Sequence, residues 1–357
     1  MSRINLAALF LLSGLVGLVG CGTSDPGGSD GGGGDDAPPF TDGVSTLSGS
    51  DEPGYVDGKR GTARFANPVN CAFKDGNVYV ADFDNGKIRV VDADDGSTST
   101  LISQEKFRRP FGMVFGKDGN LYVGTDNDTM GQHLPISGTI WKVNVSAKTA
   151  TVVAENIGRA RGLAALADGR IAFADYQSHV IKIVEPGNGS ISTLAGSAGA
   201  KGMVDAQGTS AQFAQPYSMV QRADGSLIVT DWENHRLRVV GMDGTVSTFV
   251  GSGTAGFADG AAGAAMFNNP QGLAIAANGD MFVTDTKNFR VRRIQGTTVD
   301  TIAGNGTAGH IDDDNRLASE FYAMEGLCVS PDGSKVFVAD GGGGEDVPYN
   351  YIRVIKL

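Results

Sequence analysis

The chain has 357 residues, and 41% of them are apolar, which is enough for a sizeable folded core. It carries 29 basic and 40 acidic residues, so its formal net charge is −11 at pH 7. Because nucleic-acid binding needs a basic surface that displaces counterions from phosphates, this charge argues against a nucleic-acid partner.

The first twenty residues have the pattern of an export signal. Arg3 precedes a largely apolar run from Leu6 to Val19, which is short for a membrane span and about as long as a signal-peptide core. The run ends in LVGC, and these letters resemble the lipobox of bacterial lipoproteins, in which Cys21 would carry a diacylglycerol. An ordinary secretion signal with an incidental cysteine is the alternative. The resemblance implies a lipid-anchored protein of the cell envelope, at the outer membrane in a Gram-negative host because Gly22 is not Asp.

The residues that follow the signal predict a flexible tether. Residues 21–43 are rich in Gly, Ser and Asp and offer nothing to bury. With residues 1–20 assigned to the signal peptide, residues 44–357 remain for the folded domain. The lipid would then be the only contact of the chain with the membrane.

Residues 44–357 contain one sequence motif that recurs six times. Each copy has an apolar opener, an alternating apolar run that mostly ends in Asp, a basic run and a close similar to Thr-Leu-Ala-Gly. The copies open at Phe65, Phe107, Ile157, Phe213, Phe267 and Phe321. A period of two with Asp-Gly or Asn-Gly between runs predicts strands joined by tight turns. Six four-stranded units that cannot bury their faces alone predict an all-β fold, a six-bladed β-propeller.

The two ends of the chain indicate how the ring closes. The last copy stops at the letters YIRVIKL and lacks a fourth strand. The missing strand pattern stands instead at residues 44–49, which read VSTLSG. We therefore predict that an N-terminal strand completes the last blade.

Two motifs carry a family resemblance. The letters NHRLRVV at residues 234–240, and the GxxDGxxxxAxF connection that ends at Phe65, resemble NHL-repeat propellers of the TolB-like propeller group. The resemblance covers residues 44–357. It is weaker in the second copy, where Thr125 replaces the usual Asp, and in the third, which lacks the opening Phe and Pro. It implies the propeller fold, and fold alone does not imply function.

Charged residues recur at matching positions in the copies. A carboxylate ends the second strand and a basic residue lies in the third, so we expect scaffold ion pairs or capped turns rather than a site. The carboxylates are Asp82, Asp175, Asp231, Asp285 and Asp340, and the basic residues are Arg89, Lys142, Lys182, Arg238, Arg292 and Arg353. A further set before the openers is interpreted as turn residues, namely Asp57, Asp205, Asp259 and Asp312.

Two cysteines lie within the repeats. Cys71 is in the first strand of copy one and Cys328 in the first strand of copy six, and ring closure would make these blades neighbours. In an oxidising compartment the pair could form a disulfide across the closure, and two buried free thiols are the alternative.

Catalytic and metal-binding patterns are weak. The amidating lyases that resemble this family hold zinc through axial histidines, and the corresponding positions here carry none of the four His residues. The acidic run 312–315 lacks the spacing of a calcium loop, and the one GxSxG match, residues 27–31, lies in the tether. We therefore predict no metal site and no cofactor, and we assign no catalytic residue.

One position near the channel mouth varies among the copies where a scaffold position would repeat. It reads Val69, Phe111, Arg161, Tyr217, Gln271 and Glu325. We predict that Asn70, Phe111, Arg161, Tyr217, Gln271 and Glu325 bind a ligand, with Trp232 and His133 as rim candidates. A water-filled mouth with drifting residues is the alternative.

Two functions follow from this pattern. The first is a tethered extracytoplasmic binding module for an envelope protein, a peptide or a small polar ligand. The second is a metal-dependent hydrolase or lyase, similar to lactonase or amidating-lyase propellers, with Glu325 and Asn70 as metal ligands. The sequence leaves it undecided whether the protein is an enzyme.

Overall fold

The structure is a computed structural model that describes residue 40, residues 42–342 and residues 348–357. The secondary structure of these residues is almost entirely β, with three single turns of 3₁₀ helix at Gly208–Ser210, Trp232–Asn234 and Thr286–Asn288. The predictions of a signal peptide at residues 1–20 and of lipid on Cys21 lie outside the described residues, as does most of the predicted tether. Within the described part of the chain, no helix has the length and hydropathy to cross a membrane.

In the described residues, twenty-five strands form six sheets, which we call blades 1 to 6. The first strand, β1 (Gly43–Ser50), belongs to blade 6. Blade 1 contains β2 (Pro68–Lys74), β3 (Asn77–Asp82), β4 (Lys87–Asp92) and β5 (Thr98–Ile102). Blade 2 contains β6 (Pro110–Phe115), β7 (Leu121–Thr125), β8 (Thr139–Asn144) and β9 (Thr149–Glu155). Blade 3 contains β10 (Ala160–Ala165), β11 (Ile171–Asp175), β12 (Val180–Val184) and β13 (Ile191–Ala195).

The other three blades repeat this order. Blade 4 contains β14 (Pro216–Gln221), β15 (Leu227–Asp231), β16 (Arg236–Val240) and β17 (Val246–Val250). Blade 5 contains β19 (Pro270–Ile275), β20 (Met281–Asp285), β21 (Arg290–Gln295) and β22 (Thr298–Ala303), and a short fifth strand, β18 (Gly260–Ala261), pairs with β22. Blade 6 contains β23 (Ala323–Val329), β24 (Lys335–Gly341), β25 (Asn350–Lys356) and β1.

The ring closes as the sequence predicts. The strand β1 pairs antiparallel with β25, with Val44 opposite Ile355 and Thr46 opposite Arg353. The first strands of successive blades contact one another around the ring, and β23 contacts β2 to complete the circle. The predicted six-bladed propeller and its N-terminal closing strand are therefore confirmed.

The core lies between neighbouring blades. Phe213, which opens the fourth copy, is fully buried and packs in one cluster with Ala174 and Ile181 of blade 3 and Val229 of blade 4. Side chains along each strand alternate between the two faces of the sheet, and each face packs against one neighbouring blade. Tight turns join the first two strands, and in blade 4 this turn needs Gly225, whose φ of 87° is unfavourable for a side chain.

The recurring charges form buried scaffold pairs. In blade 5 the Arg292 Nη1 donates to Asp285 Oδ2 at 2.7 Å, and both side chains are fully buried. The same guanidinium lies 5.1 Å over the ring of the opener Phe267. Its Nη2 also donates to Asp259 at 2.7 Å, so the interpretation of Asp259 as a turn residue alone was incomplete. The equivalent second partners in blades 1, 4 and 6 are Asp57, Asp205 and Asp312.

Blade 2 departs from this scheme, and there the sequence prediction was wrong. Lys142 does not occupy the third-strand basic position, because the strand register places Trp141 opposite Val123, as Arg89 lies opposite Val80 in blade 1. Trp141 Nε1 donates to Thr125 Oγ1 at 2.9 Å. A neutral hydrogen bond thus replaces the buried ion pair of the other blades, and Lys142 faces the other side of the sheet.

The two repeat cysteines meet at the ring closure. Cys71 and Cys328 are buried free thiols in one apolar cluster, and the Cys71 Sγ lies 3.5 Å from the carbonyl oxygen of Phe337. Burial and a hydrogen bond with Cys71 raise the pKa of the Cys328 thiol. The disulfide between them stays a prediction.

Candidate functional site

A pocket of about 500 Å³ opens at one end of the ring of first strands. It is lined by residues at the start of these strands and by loops between the second and third strands of the blades. In an antiparallel four-stranded blade these two places lie at the same end of the sheet, so the repeat itself brings them together. The pocket volume is in the range of sites for small molecules.

Five of the six residues predicted to bind a ligand line this pocket. They are Phe111, Arg161, Tyr217, Gln271 and Glu325, which come from blades 2 to 6, and Val69 occupies the same position in blade 1. Asn70 is not among the lining residues. Its Oδ1 accepts the backbone N–H of Cys71 at 2.8 Å and lies against Gly326 of blade 6. Successive residues of a strand point to opposite faces, so Val69 takes the pocket side and Asn70 the other.

An aromatic wall forms one side of the pocket. We use this name for Phe83, Phe111, Tyr176, Tyr217 and Trp232. Tyr217 makes edge contacts with Phe111 and Tyr176 at ring-centroid distances of 5.7 and 5.6 Å. Phe83 meets Phe111 at 5.9 Å, and Trp232 lies 6.0 Å from Tyr176. Such edge contacts add to the apolar burial of each ring, and they hold the wall in one arrangement.

Glu325 faces this wall from blade 6. The Tyr217 hydroxyl donates to Glu325 Oε2 at 3.3 Å. Burial raises the pKa of Glu325 to about 7, against the lowering effects of Arg161 and of the Tyr217 hydrogen bond, while Asp126 and Asp84 raise it further. Burial and the Glu325 carboxylate raise the pKa of Tyr217 well above its usual value, so this phenol stays a hydrogen-bond donor. Glu325 can therefore exchange a proton near neutral pH.

A cluster of basic side chains lies beside the wall in blades 2 and 3. Arg161 binds Asp126 with two hydrogen bonds, of 2.7 and 3.1 Å, and its guanidinium lies 4.0 Å over the ring of Phe111. Arg159 donates to the same carboxylate at 3.3 Å. His133, in the insertion of blade 2, has its Nε2 3.6 Å from Asp126, and burial together with Arg159 and Arg109 lowers its pKa.

Three buried polar atoms of the pocket lining have no hydrogen-bond partner among the described residues. They are Asn67 Oδ1, Gln271 Oε1 and Trp232 Nε1. A buried polar group without a partner costs about 1–3 kcal/mol, and such groups are rare in folded proteins. Residues that line the cavity therefore hold two acceptors and one donor without partners, and these three atoms are themselves closed to solvent.

Sequence reasoning found the inner ring of the site and missed its outer contributors. Tyr176, Asn67 and Asp126 were not singled out. Tyr176 and Asp126 each follow a second strand, at the position that holds Trp232 in blade 4. That shared position was the available signal, because every such loop faces the pocket end.

The histidines of the third and fourth copies have a structural role between blades. His179 Nδ1 accepts the backbone N–H of Gln215, and His235 Nδ1 accepts that of Asn269, both at 3.1 Å. Each bond joins the loop of one blade to the residue that precedes the first strand of the next blade. Burial lowers the pKa of both rings, which keeps Nδ1 available as an acceptor.

These observations define a six-bladed β-propeller with a candidate ligand pocket at the mouth of its channel. The SMP-30/Gluconolactonase/LRE-like region family matches residues 54–255, and the NHL repeat matches residues 267–294. The first match covers more than half of the chain, so the protein belongs to the SMP-30/gluconolactonase/LRE-like family. The NHL-repeat resemblance found in the sequence is confirmed.

Individual relatives are distant. The chain is 27% identical over 315 residues to NHL repeat-containing protein 2 of Bos taurus, covering 82% of this chain and 40% of the relative. It is 26% identical over 290 residues to Protein SUPPRESSOR OF QUENCHING 1, chloroplastic, of Arabidopsis thaliana, covering 70% of this chain and 27% of the relative. The chain thus spans well under half of either relative.

Among solved structures, an auxiliary nutrient binding protein from Bacteroides thetaiotaomicron superposes with a TM-score of 0.68 at 16% identity. The superposition covers 87% of this chain and 75% of that one. At this identity the likeness shows the fold alone.

The metal that a lactonase-like activity would use does not fit the donors of this pocket. Glu325 is the single carboxylate among the described lining residues, and Asn70 faces the neighbouring blade. Asp126 is bound to two guanidinium groups, and Arg161 adds a positive charge to the pocket wall. No group of three or more His, Cys, Asp or Glu side chains in the described chain is arranged to hold a metal ion. Calcium and magnesium need several converging oxygen ligands, which these residues do not provide.

Proposed function

We propose that this protein is a small-molecule binding module whose ligand enters the channel-mouth pocket. The observation that carries the proposal is the coincidence of the aromatic wall with three buried polar atoms that lack partners. An apolar wall with a few placed polar groups is typical of ligand sites. The nutrient-binding name of one structural neighbour is consistent with this role.

Intrinsic fluorescence offers a direct test, because the chain has only two tryptophans. Trp232 lines the pocket, whereas Trp141 is buried in blade 2. We expect a compound from a metabolite library that binds the pocket to change the emission of the wild type and of Trp141→Phe. The change should disappear in Trp232→Phe. If no compound in a broad metabolite library gives a Trp232-dependent response or a shift in Tm, small-molecule binding is refuted, and an envelope protein or peptide becomes the expected occupant.

The envelope location is part of the same proposal. It rests on the lipobox-like letters that end at Cys21 and on the Gly-rich residues after them. We expect the wild-type protein to sediment with membranes in its bacterial host and Cys21→Ser to appear in the soluble fraction. An unchanged distribution for Cys21→Ser would contradict the lipid anchor.

A second candidate function is hydrolysis or elimination on a bound lactone or ester. Two observations favour it, namely the family match and the Glu325–Tyr217 pair, in which a carboxyl group with a pKa near 7 contacts a phenol. A general base works best when its pKa is near the working pH. Lactone hydrolysis by the wild type that is lost in Glu325→Gln would support this activity, whereas equal rates in both proteins would exclude Glu325 as the base.

A further inference from the structure

Opposite sides of the channel-mouth pocket differ in their hydrogen-bonding character. Blades 5, 6 and 1 contribute acceptors: the Glu325 carboxylate borders the pocket, whereas Gln271 Oε1 and Asn67 Oδ1 belong to lining residues but are themselves closed to solvent. Two of these acceptors lack partners, and the third accepts one bond from Tyr217. We call this set the acceptor side. A group with several N–H donors and a positive charge would complete it.

Blades 2 and 3 present the opposite character. Arg159 and Arg161 pair with a single carboxylate, Asp126, and Arg109 contacts His133, whose Nε2 lies 3.6 Å from the same carboxylate. We call the three arginines the guanidinium cluster. Arg161 donates two N–H groups to Asp126, which leaves further donors of its guanidinium at the pocket wall. The Nε of Arg159 is buried without a partner in the described chain. The cluster therefore has more positive charge than Asp126 balances, and Arg161 is its member that lines the pocket, where a second carboxylate could bind.

Tyr217 joins the two sides. Its hydroxyl contacts Glu325, and its ring packs against Phe111, the ring that carries the Arg161 guanidinium. The two charged sides are thus separated by about one aromatic side chain, within a pocket of about 500 Å³. Lys287 of blade 5 places an exposed ammonium at the acceptor side of the pocket, and Asp84 of blade 1 lies exposed in the neighbouring pocket.

We propose that the ligand is a small zwitterion, an α-amino acid or short peptide with an apolar or aromatic side chain. This inference rests on the proposed binding function. The ammonium group of the ligand would bind the acceptor side, the ligand carboxylate would bind the guanidinium cluster, and the ligand side chain would pack against the aromatic wall. A neutral sugar would use the wall and leave the charged sides unmatched, and a simple anion would leave the acceptor side unmatched. Buried polar groups left unmatched cost affinity, so the zwitterion is favoured.

Calorimetric titration of the purified protein with matched probes tests this inference. The probes are L-phenylalanine, N-acetyl-L-phenylalanine, which lacks the ammonium, L-phenylalaninamide, which lacks the carboxylate, phenylalanyl-phenylalanine and glucose. We expect the free amino acid or the dipeptide to bind at least tenfold more tightly than either singly charged derivative or glucose. The better of these two probes identifies the source of the zwitterion.

A pair of carboxyl-to-amide variants locates the binding. In Glu325→Gln we expect the preference for phenylalanine over its N-acetyl derivative to fall to about twofold or less. The matched control Glu185→Gln changes an exposed carboxylate on blade 3 and should keep the full preference. Equal or tighter binding of N-acetyl-phenylalanine or glucose, with a Trp232-dependent signal, would overturn the zwitterion and leave the proposed function standing. Trp232-dependent binding of library compounds but of none of these probes would also overturn it, and the absence of any Trp232-dependent ligand would refute both.

Discussion

Loss of one buried arginine should destabilise a whole blade, and Arg238 of blade 4 is the sharpest case. Its side chain is fully buried, and its Nη1 donates to Asp231 at 2.8 Å and to the carbonyl oxygen of Gln212 at 3.1 Å. The Nη2 donates to the carbonyl oxygen of Val204 at 3.1 Å and pairs with Asp205. Arg238→Ala therefore leaves a buried carboxylate without its cation and frees the connection that precedes the blade. Removing one partner of a buried pair costs about 3–5 kcal/mol.

The assay is guanidinium chloride denaturation followed by circular dichroism, with Arg170→Ala as the matched control. Arg170 pairs with Asp168 at 2.6 Å at the surface, where the two side chains are 33% and 51% exposed. Exposed pairs contribute at most about 1 kcal/mol, so the control should unfold almost as the wild type does. If Arg238→Ala lowered the free energy of unfolding by no more than Arg170→Ala does, the scaffold role of the repeated pairs would be refuted.

Three further predictions concern single features of the ring. The pKa of Glu325 is about 7 in the fold and 4.5 ordinarily, so its contribution to stability is present below about pH 4.5 and is lost as pH rises through 7. The loss should amount to about 2 kcal/mol after allowance for cavity water. Measurements of the free energy of unfolding from pH 4.5 to 8 should show this loss in the wild type and not in Glu325→Gln. Oxidation should join Cys71 and Cys328, so that thiol titration of the denatured protein from an oxidising compartment finds neither free, and two titrating thiols would exclude the bond. Trp141→Arg should lower the free energy of unfolding by about 3 kcal/mol or more, because Thr125 offers no charge to pair with the new guanidinium. The double variant Trp141→Arg, Thr125→Asp should recover part of that loss in the same denaturation assay. If it recovers none, the Trp141–Thr125 pair does not stand in for the ion pair of the other blades.

The sequence predicted the fold well because the same physical demand recurs in every blade. Alternating apolar residues, tight turns and the repeated opener each point to the same four-stranded unit, and the displaced residues 44–49 indicate how the ring closes. Where one blade departs from the pattern, the alignment failed. In blade 2, Thr125 and Trp141 replace the carboxylate and the basic residue of the usual ion pair. The sequence alignment therefore took Lys142, one residue further along, as the basic position. A one-residue shift reverses the face of a strand, so only the register could place it.

The site was less predictable because its partners are distant in the sequence and belong to different blades. Variation at one repeat position indicated Arg161, Tyr217 and Glu325 as site residues. The sequence does not show that Tyr217 contacts Glu325, which is 108 residues away. The residue directly after the second strand of blade 2 is Asp126, which holds Arg161 against the wall and decides where positive charge remains. Chemical character at a channel mouth depends on which side chains find partners and which do not. The repeat therefore specifies where a ligand would bind, whereas the unmatched groups in the loops determine which ligand it would be.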